Sequence, residues 1–475
     1  MKLPAFLLLL ASAIAVSAAD KPGSPPNILL IMIDDLRPQL GCFGEPQMIS
    51  PNIDRLAAEG TLFERAYVQV PVCGASRASM MTGLRPEPER FINYDAWASK
   101  DAPGIPDWPS WFKAHGYETY SMGKIYHHAE DNRDSWTQLG DPLITKGQNN
   151  DYVLEESRRL KDADNMYPSW GGGLSYEAAD VPDDEYFQGQ LTNAAIARLR
   201  AIKASGKSSL LAVGFTKPHL PFVAPKKYWD LYDRSKLVPA PNMFRPVDAP
   251  DESMHEFNEL RHYRDIPKQG PLSPELALTL QHGYYASVSF TDALVGRVLA
   301  ELDRLGMRDN TIVLLMGDHG WQLGEHGLWC KHSLFETSLH TPLLVRAPGY
   351  PAGGRATGMV EFIDIYPTLC ELAGVPAPGH LDGKSFTPLL RDGDQPWKEA
   401  VFSRYVRGDS VKTDAARYTE WTDQTGRKMA SMLYDHIADP SENVNIVGTP
   451  DGANLADRLR PLLPQWDNSK SAPAR

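Results

Sequence analysis

Asn27-Ile28-Leu29-Leu30-Ile31-Met32-Ile33 is a continuous apolar run that ends in Asp34-Asp35. A short run without polar alternation suits a strand buried on both faces, as in a parallel sheet covered by helices. The pattern recurs at Thr311-Ile312-Val313-Leu314-Leu315-Met316, followed by Gly317-Asp318-His319-Gly320, and at Leu210-Leu211-Ala212-Val213-Gly214-Phe215, followed by Thr216-Lys217-Pro218-His219. Three strands thus deliver charged or imidazole groups at their carboxyl ends, the edge where open α/β sheets bind ligands.

Between these runs, apolar residues at three- and four-residue spacing predict helices over 51–59, 191–204 and 290–305, stopped by Gly60, Gly206 and Gly306. Strands alternating with helices imply an α/β fold, a mostly parallel central sheet sandwiched by helices. Residues 134–184, rich in Gly, Asp, Asn and Tyr, and 240–274, rich in Pro and charge, read as long loops over the sheet edge. Such loops are substrate walls or solvated insertions. From Trp397 the pattern alternates, as in Ala400-Val401-Phe402-Ser403-Arg404-Tyr405 and Ala416-Arg417-Tyr418-Thr419-Glu420-Trp421, which predicts a small antiparallel sheet. The expected division is a catalytic domain at 20–395 and a C-terminal subdomain at 396–475, with 468–475 a disordered tail. A chain of 475 residues has room for one large domain and a smaller one.

The composition, 42% hydrophobic and 23% charged, is that of an ordinary globular protein. A net charge of −12 and a pI near 5.6 argue against a nucleic-acid partner, which needs a basic footprint. An anionic substrate therefore requires a locally positive pocket. Residues 1–19 join Lys2 to a short apolar run and then to Val16-Ser17-Ala18-Ala19, the pattern of a secretory signal peptide. The run is shorter than the ~20 apolar residues of a membrane span, so the mature chain is expected to be unanchored and exported, periplasmic or secreted. Only Cys42, Cys73, Cys330 and Cys370 are present, too few for a disulfide scaffold and not spaced as a zinc site.

Several segments carry candidate chemistry. Asp34-Asp35 and Asp318-His319 offer three carboxylates and an imidazole from two strand ends, close to what a hard divalent cation needs. Taken singly, an Asp pair after a strand is as readily a turn or a helix cap. Gly123-Lys124-Ile125-Tyr126-His127-His128 sets a lysine and an imidazole three residues apart, able to face one pocket. In Lys217-Pro218-His219-Leu220-Pro221 the two prolines restrict the backbone around His219, a candidate general acid. Leu328-Trp329-Cys330-Lys331-His332-Ser333 follows the Asp318 strand, with Cys330 read as a packing thiol.

Cys73-Gly74-Ala75-Ser76-Arg77, followed by Thr82-Gly83, resembles the motif of cysteine-type sulfatases of the alkaline phosphatase-like superfamily, Cys-X-Pro/Ala-Ser-Arg with a Thr-Gly a few residues on. The other segments fall in that family's order from about Asn27 to Pro378, and Leu433-Tyr434-Asp435 with Asp439-Pro440 matches a segment near sulfatase C-termini. The Lys-Pro-His and Gly-Lys-Ile-Tyr-His stretches, and His319 where many sulfatases have Asn, resemble the iduronate-2-sulfatase-like branch. This resemblance implies that Cys73 is oxidised by a maturation enzyme to formylglycine, whose hydrate is the nucleophile. It implies one calcium ion per chain at Asp34, Asp35, Cys73, Asp318 and His319. It places Arg77 on the diol, Lys124 on the sulfate, His127 on the formylglycine hydroxyl, His219 as acid and Lys331 on sulfate and bridge oxygen. The implied substrate is a sulfated saccharide, with 2-O-sulfated uronic acid favoured. Phosphoester or phosphonate hydrolysis on the same scaffold is a second reading, and a silent glycan-binding protein that keeps the Cys73 thiol a third. Ala75 and Leu84 stand where the branch has Pro and Arg, and the second change bears on which maturation enzyme acts.

Overall fold

The computed structural model describes residues 25–144, 152–163 and 172–464. The expected signal peptide and the expected disordered tail lie outside the described residues. The main sheet has eight strands: β1 (Asn27–Ile33), β2 (Thr61–Phe63), β3 (Glu118–Gly123), β4 (Gln138–Leu139), β5 (Ser209–Phe215), β6 (Thr311–Gly317), β7 (Leu343–Arg346) and β8 (Gly354–Ala356). Their order is β8-β2-β7-β6-β1-β5-β3-β4. Strand β7 runs antiparallel to both its neighbours and the remaining pairs are parallel.

Helices α1 (Pro51–Glu59), α2 (Cys73–Thr82), α3 (Phe187–Ser205), α5 (Pro274–Arg304) and α6 (Ile365–Ala373) frame the sheet, α4 (Asn258–Arg261) is a short helix between α3 and α5, and α7 (Pro450–Leu459) packs on the C-terminal sheet. Side chains of β1 alternate between two cores. Leu29, Ile31 and Ile33 pack with α1, α3 and α5, while Ile28, Leu30 and Met32 pack with α2 and α6. This is the two-sided burial that the unbroken apolar run predicted, and each such side chain contributes about 1.5–3 kcal/mol relative to exposure.

Three expectations are revised. Helix α5 begins at Pro274, capped by the Ser273 side chain on the Leu276 amide, and not at Phe290. The 240–274 stretch carries α4, and the 134–184 stretch carries a helix at Glu155–Asp162 and a strand at Tyr176–Ala179.

The C-terminal sheet is antiparallel in sequence order: β9 (Val401–Tyr405), β10 (Gly408–Lys412), β11 (Ala416–Thr422) and β12 (Lys428–Asp435). One face, with Val401, Trp421, Met432 and Tyr434, joins the same core as α2 and α6; the other, with Val411, Tyr418 and Leu433, packs with Ala456 and Leu459 of α7.

Register sets the site. Ile33 pairs with Phe215 on one side and with Gly317 on the other, so Asp34, Thr216 and Asp318 leave the sheet side by side. Gly123 pairs with Gly214, which brings Lys124 to the same edge. A Cβ on Gly214 would lie 2.1 Å from the Lys124 carbonyl oxygen, so only glycine allows that approach.

Candidate active site

Cys73 is the first residue of α2, whose ten residues are all buried. Its amino end directs the partial positive charge of unpaired backbone amides toward Cys73, a favourable setting for an anion. Ser76 Oγ donates to the Asp318 carbonyl oxygen at 2.5 Å and fixes the helix against the end of β6.

Arg77, with no solvent exposure, donates from Nε to Asp318 Oδ2 at 2.9 Å and from Nη2 to Asp34 Oδ1 at 2.8 Å. Its Nη1 donates to the carbonyl oxygens of Lys124 and Ile125, at 2.5 and 2.9 Å. Burial opposes this charge, yet Asp318 and Asp34 hold the guanidinium pKa above its usual value. Arg77 thus positions both carboxylates, and the role on the diol that the motif resemblance implies is a separate one.

Asp34 and Asp35 are fully buried. Lys124 Nζ donates to Asp34 Oδ2 at 2.5 Å, and Lys331 Nζ donates to both oxygens of Asp35, at 3.0 and 3.2 Å. Burial raises the Asp34 pKa, but Lys124 and Arg77 outweigh it and hold this carboxyl well below the usual range. Asp35 adopts φ 61°, a left-handed conformation that turns the chain so that its amide donates to Asp318 Oδ1 at 3.0 Å.

His319 Nδ1 lies 2.9 Å from the Gly320 carbonyl oxygen, so it carries the proton and leaves the Nε2 lone pair facing inward. That nitrogen is 3.1 Å from Cys73 Sγ and 3.4 Å from Asp35 Oδ1. Burial, and then the Asp34 charge, push the Cys73 thiol well above its usual pKa, so the sulfur stays protonated and donates to His319. Asp34, Asp35, Cys73 and His319 bring one ligand atom each within 4.8 Å of one another. Asp318 is not in that group of four; its Oδ2 accepts from Arg77 and its Oδ1 from the Asp35 amide, and each oxygen keeps a lone pair that a cation can use.

Around this cluster, His127 stands edge-on to Tyr94 at 6.3 Å, with Nδ1 lacking a hydrogen-bond partner. Burial, and next Lys124, lower its pKa to about 2, which keeps the ring neutral. His128 stacks on Trp97 at 4.2 Å. His219 places Nδ1 2.6 Å from the Leu220 carbonyl oxygen and Nε2 2.9 Å from Glu259 Oε1. Glu259, on α4, escaped the sequence reading because it sits inside a Pro- and charge-rich stretch with no motif around it.

The site therefore has a buried acidic cluster able to hold a cation, two lysines and a helix amino end suited to an anion, and a histidine at the rim. The sulfatase family profile matches residues 26–375, and a second profile, N-sulphoglucosamine sulphohydrolase, C-terminal, matches residues 324–469. The chain belongs to the sulfatase family. Iduronate 2-sulfatase of Mus musculus is 31% identical to this sulfatase over 96% of the chain and 98% of the relative. Among solved structures, a phosphonate monoester hydrolase from Silicibacter pomeroyi has a TM-score of 0.74 at 22% identity, covering 92% of this chain and 94% of its own. A protein in complex with its substrate D-glucosamine-2-N,6-O-disulfate has a TM-score of 0.72 at 21% identity, covering 92% and 97%. Both share the fold of this sulfatase. All four of its cysteines are free, and no helix among the described residues is long and apolar enough to cross a membrane.

Proposed function

We propose that this sulfatase removes sulfate from carbohydrate, with a 2-O-sulfated uronic acid residue as the favoured substrate, through a formylglycine made from Cys73. The observation that carries the reading is the meeting of Cys73 with Asp34, Asp35 and His319 in a cluster where Lys124 pairs with Asp34 and Lys331 with Asp35. A protonated thiol is a poor nucleophile. A formylglycine hydrate in its place offers two oxygens. One attacks sulfur and the alcohol leaves with a proton; the other then loses its proton, the carbonyl re-forms, and sulfate is expelled. Water regenerates the hydrate.

The donor set fits calcium once oxygen replaces sulfur at position 73, because carboxylates then dominate the cluster and the His319 Nε2 lone pair points inward. Asp34, Asp35, Asp318, His319 and residue 73 would hold the ion, whose charge would polarise the sulfate. Lys124 and Lys331 neutralise the remaining sulfate charge, His127 contacts the hydroxyl on residue 73, and His219 protonates the leaving oxygen. We assign residues 20–395 to the catalytic domain and 396–475 to its C-terminal subdomain, and we read 1–19 as an export signal. Export, a sulfated saccharide partner and a maturation enzyme all follow from the same reading.

Two measurements test it. Mass spectrometry of the Cys73 peptide from protein made in its native host should show the aldehyde, and only unmodified cysteine defeats the mechanism. A panel of sulfated disaccharides should show release from 2-O-sulfated uronates, and silence on these with turnover elsewhere defeats the substrate assignment. Faster turnover of matched phosphate monoesters favours phosphoester or phosphonate hydrolysis instead.

A further inference from the structure

One oxygen of Glu259 joins two segments that leave the sheet on different strands. Oε1 accepts a hydrogen bond from Lys331 Nζ at 2.8 Å and stands 2.9 Å from His219 Nε2. His219 Nδ1 is occupied by the Leu220 carbonyl oxygen, so Nε2 is the ring nitrogen available to a substrate. The two donors are anchored unequally. Lys331 also holds Asp35 at 3.0 Å, whereas the Asp35 carboxylate lies 3.8 Å from His219 Nε2. Glu259 is therefore the close partner that sets the direction of Nε2.

Two donors within 3 Å of one oxygen define an oxygen site. The bridging oxygen of a sulfate ester needs such a site, because it takes up negative charge as its bond to sulfur breaks. We propose that Glu259 is a positioning residue that brings His219 Nε2 and Lys331 Nζ onto the point where the bridging oxygen of the ester is received. The ester's bridging oxygen takes that point, and the displaced carboxylate stays beside both donors and keeps them directed there. The S–O electron pair then stays on the bridging oxygen, the Nε2 proton passes to it, and the alcohol leaves neutral; Glu259 forms and breaks no covalent bond. This role rests on the reading of His219 as the proton donor.

The test is the dependence of rate on the leaving group. The full chain and its Glu259→Gln, Glu259→Asp and His219→Asn variants are assayed on 4-nitrophenyl sulfate, on phenyl sulfate and on the best sulfated disaccharide. A nitrophenolate departs without a proton, whereas a sugar alkoxide requires one. Glu259→Gln is expected to lose less than about threefold on 4-nitrophenyl sulfate and on the order of 100-fold in kcat on the disaccharide, the usual contribution of a positioned acid. Glu259→Asp, a smaller perturbation that keeps the charge, should show the same ordering with a weaker slope. Equal losses across the series in both variants, or none, overturn the proposal. A flat His219→Asn profile removes the proton-donor reading, whereas a steep His219→Asn profile beside flat Glu259 variants removes only the role of Glu259.

Discussion

Arg77 and Asp318 form a 2.9 Å ion pair from which water is excluded, the two side chains being 0% and 1% exposed. Through it the helix that begins with Cys73 is tied to the strand that ends with the candidate cation ligands. Two buried charges are tolerated only when paired and hydrogen-bonded.

Arg77→Met should therefore be severe, since it leaves Asp318 without its partner and Asp34 with Lys124 alone. Loss of a buried partner costs about 3–5 kcal/mol. Urea unfolding in the presence of a chelator should show that loss. Arg77→Lys should recover only part of it, because one ammonium does not span two carboxylates. A change below ~1 kcal/mol for Arg77→Met contradicts the positioning role.

Calcium should stabilise the folded chain. With the free ion at 100 times its dissociation constant the gain is about 2.7 kcal/mol, visible as a melting temperature that falls on adding chelator. Asp35→Asn should abolish that calcium-dependent difference, whatever it does to the baseline. A persistent shift would place the cation elsewhere.

Gly74 sits between Cys73 and Ala75, and a Cβ built on it would come 2.0 Å from the Tyr94 carbonyl oxygen. Gly74→Ala must displace backbone, and overpacking of this kind costs about 1–3 kcal/mol. We expect a lower melting temperature together with reduced turnover, because the displaced residue adjoins Cys73. Unchanged values on both counts refute the close approach.

Glu361 provides a pH signature outside the Cys73 cluster. Burial raises its pKa, but Lys398 and Arg85 outweigh that and bring it to about 2. The folded value lies below the ordinary one, so the stabilisation is present above about pH 4.5 and is lost as pH falls toward 2. Wild type and Glu361→Gln should differ most near neutrality and converge in acid. A gap that widens in acid reverses the sign and rejects this pairing.

The three strand runs were legible because a strand buried on both faces has an unbroken apolar sequence, and the residues at their ends followed from register alone. The start of α5 was not. From Leu280 to Phe290 every residue of this helix is buried, including His282, Ser287 and Ser289, so no amphipathic stripe marks it. The Ser273-Pro274 cap was the available signal. At the site, Asp34, Asp35, Cys73 and His319 were readable from strand ends and a motif. The grip of Arg77 on Asp34 and Asp318 depends on two strands and a helix meeting, which no local pattern encodes. Glu259 reaches the site from a four-residue helix, too short to leave any period in the sequence.

The depth of the Cys73 segment also has a temporal consequence. Cys73 is 3% exposed, Ala75 and Arg77 are sealed from solvent, and Ser76 is 2% exposed. An enzyme that recognises these residues as a peptide cannot reach them once β6 and α2 have closed together. On the proposed formylglycine mechanism, oxidation of Cys73 would have to precede closure, and a chain that folds first would be a stable protein locked out of its own activation.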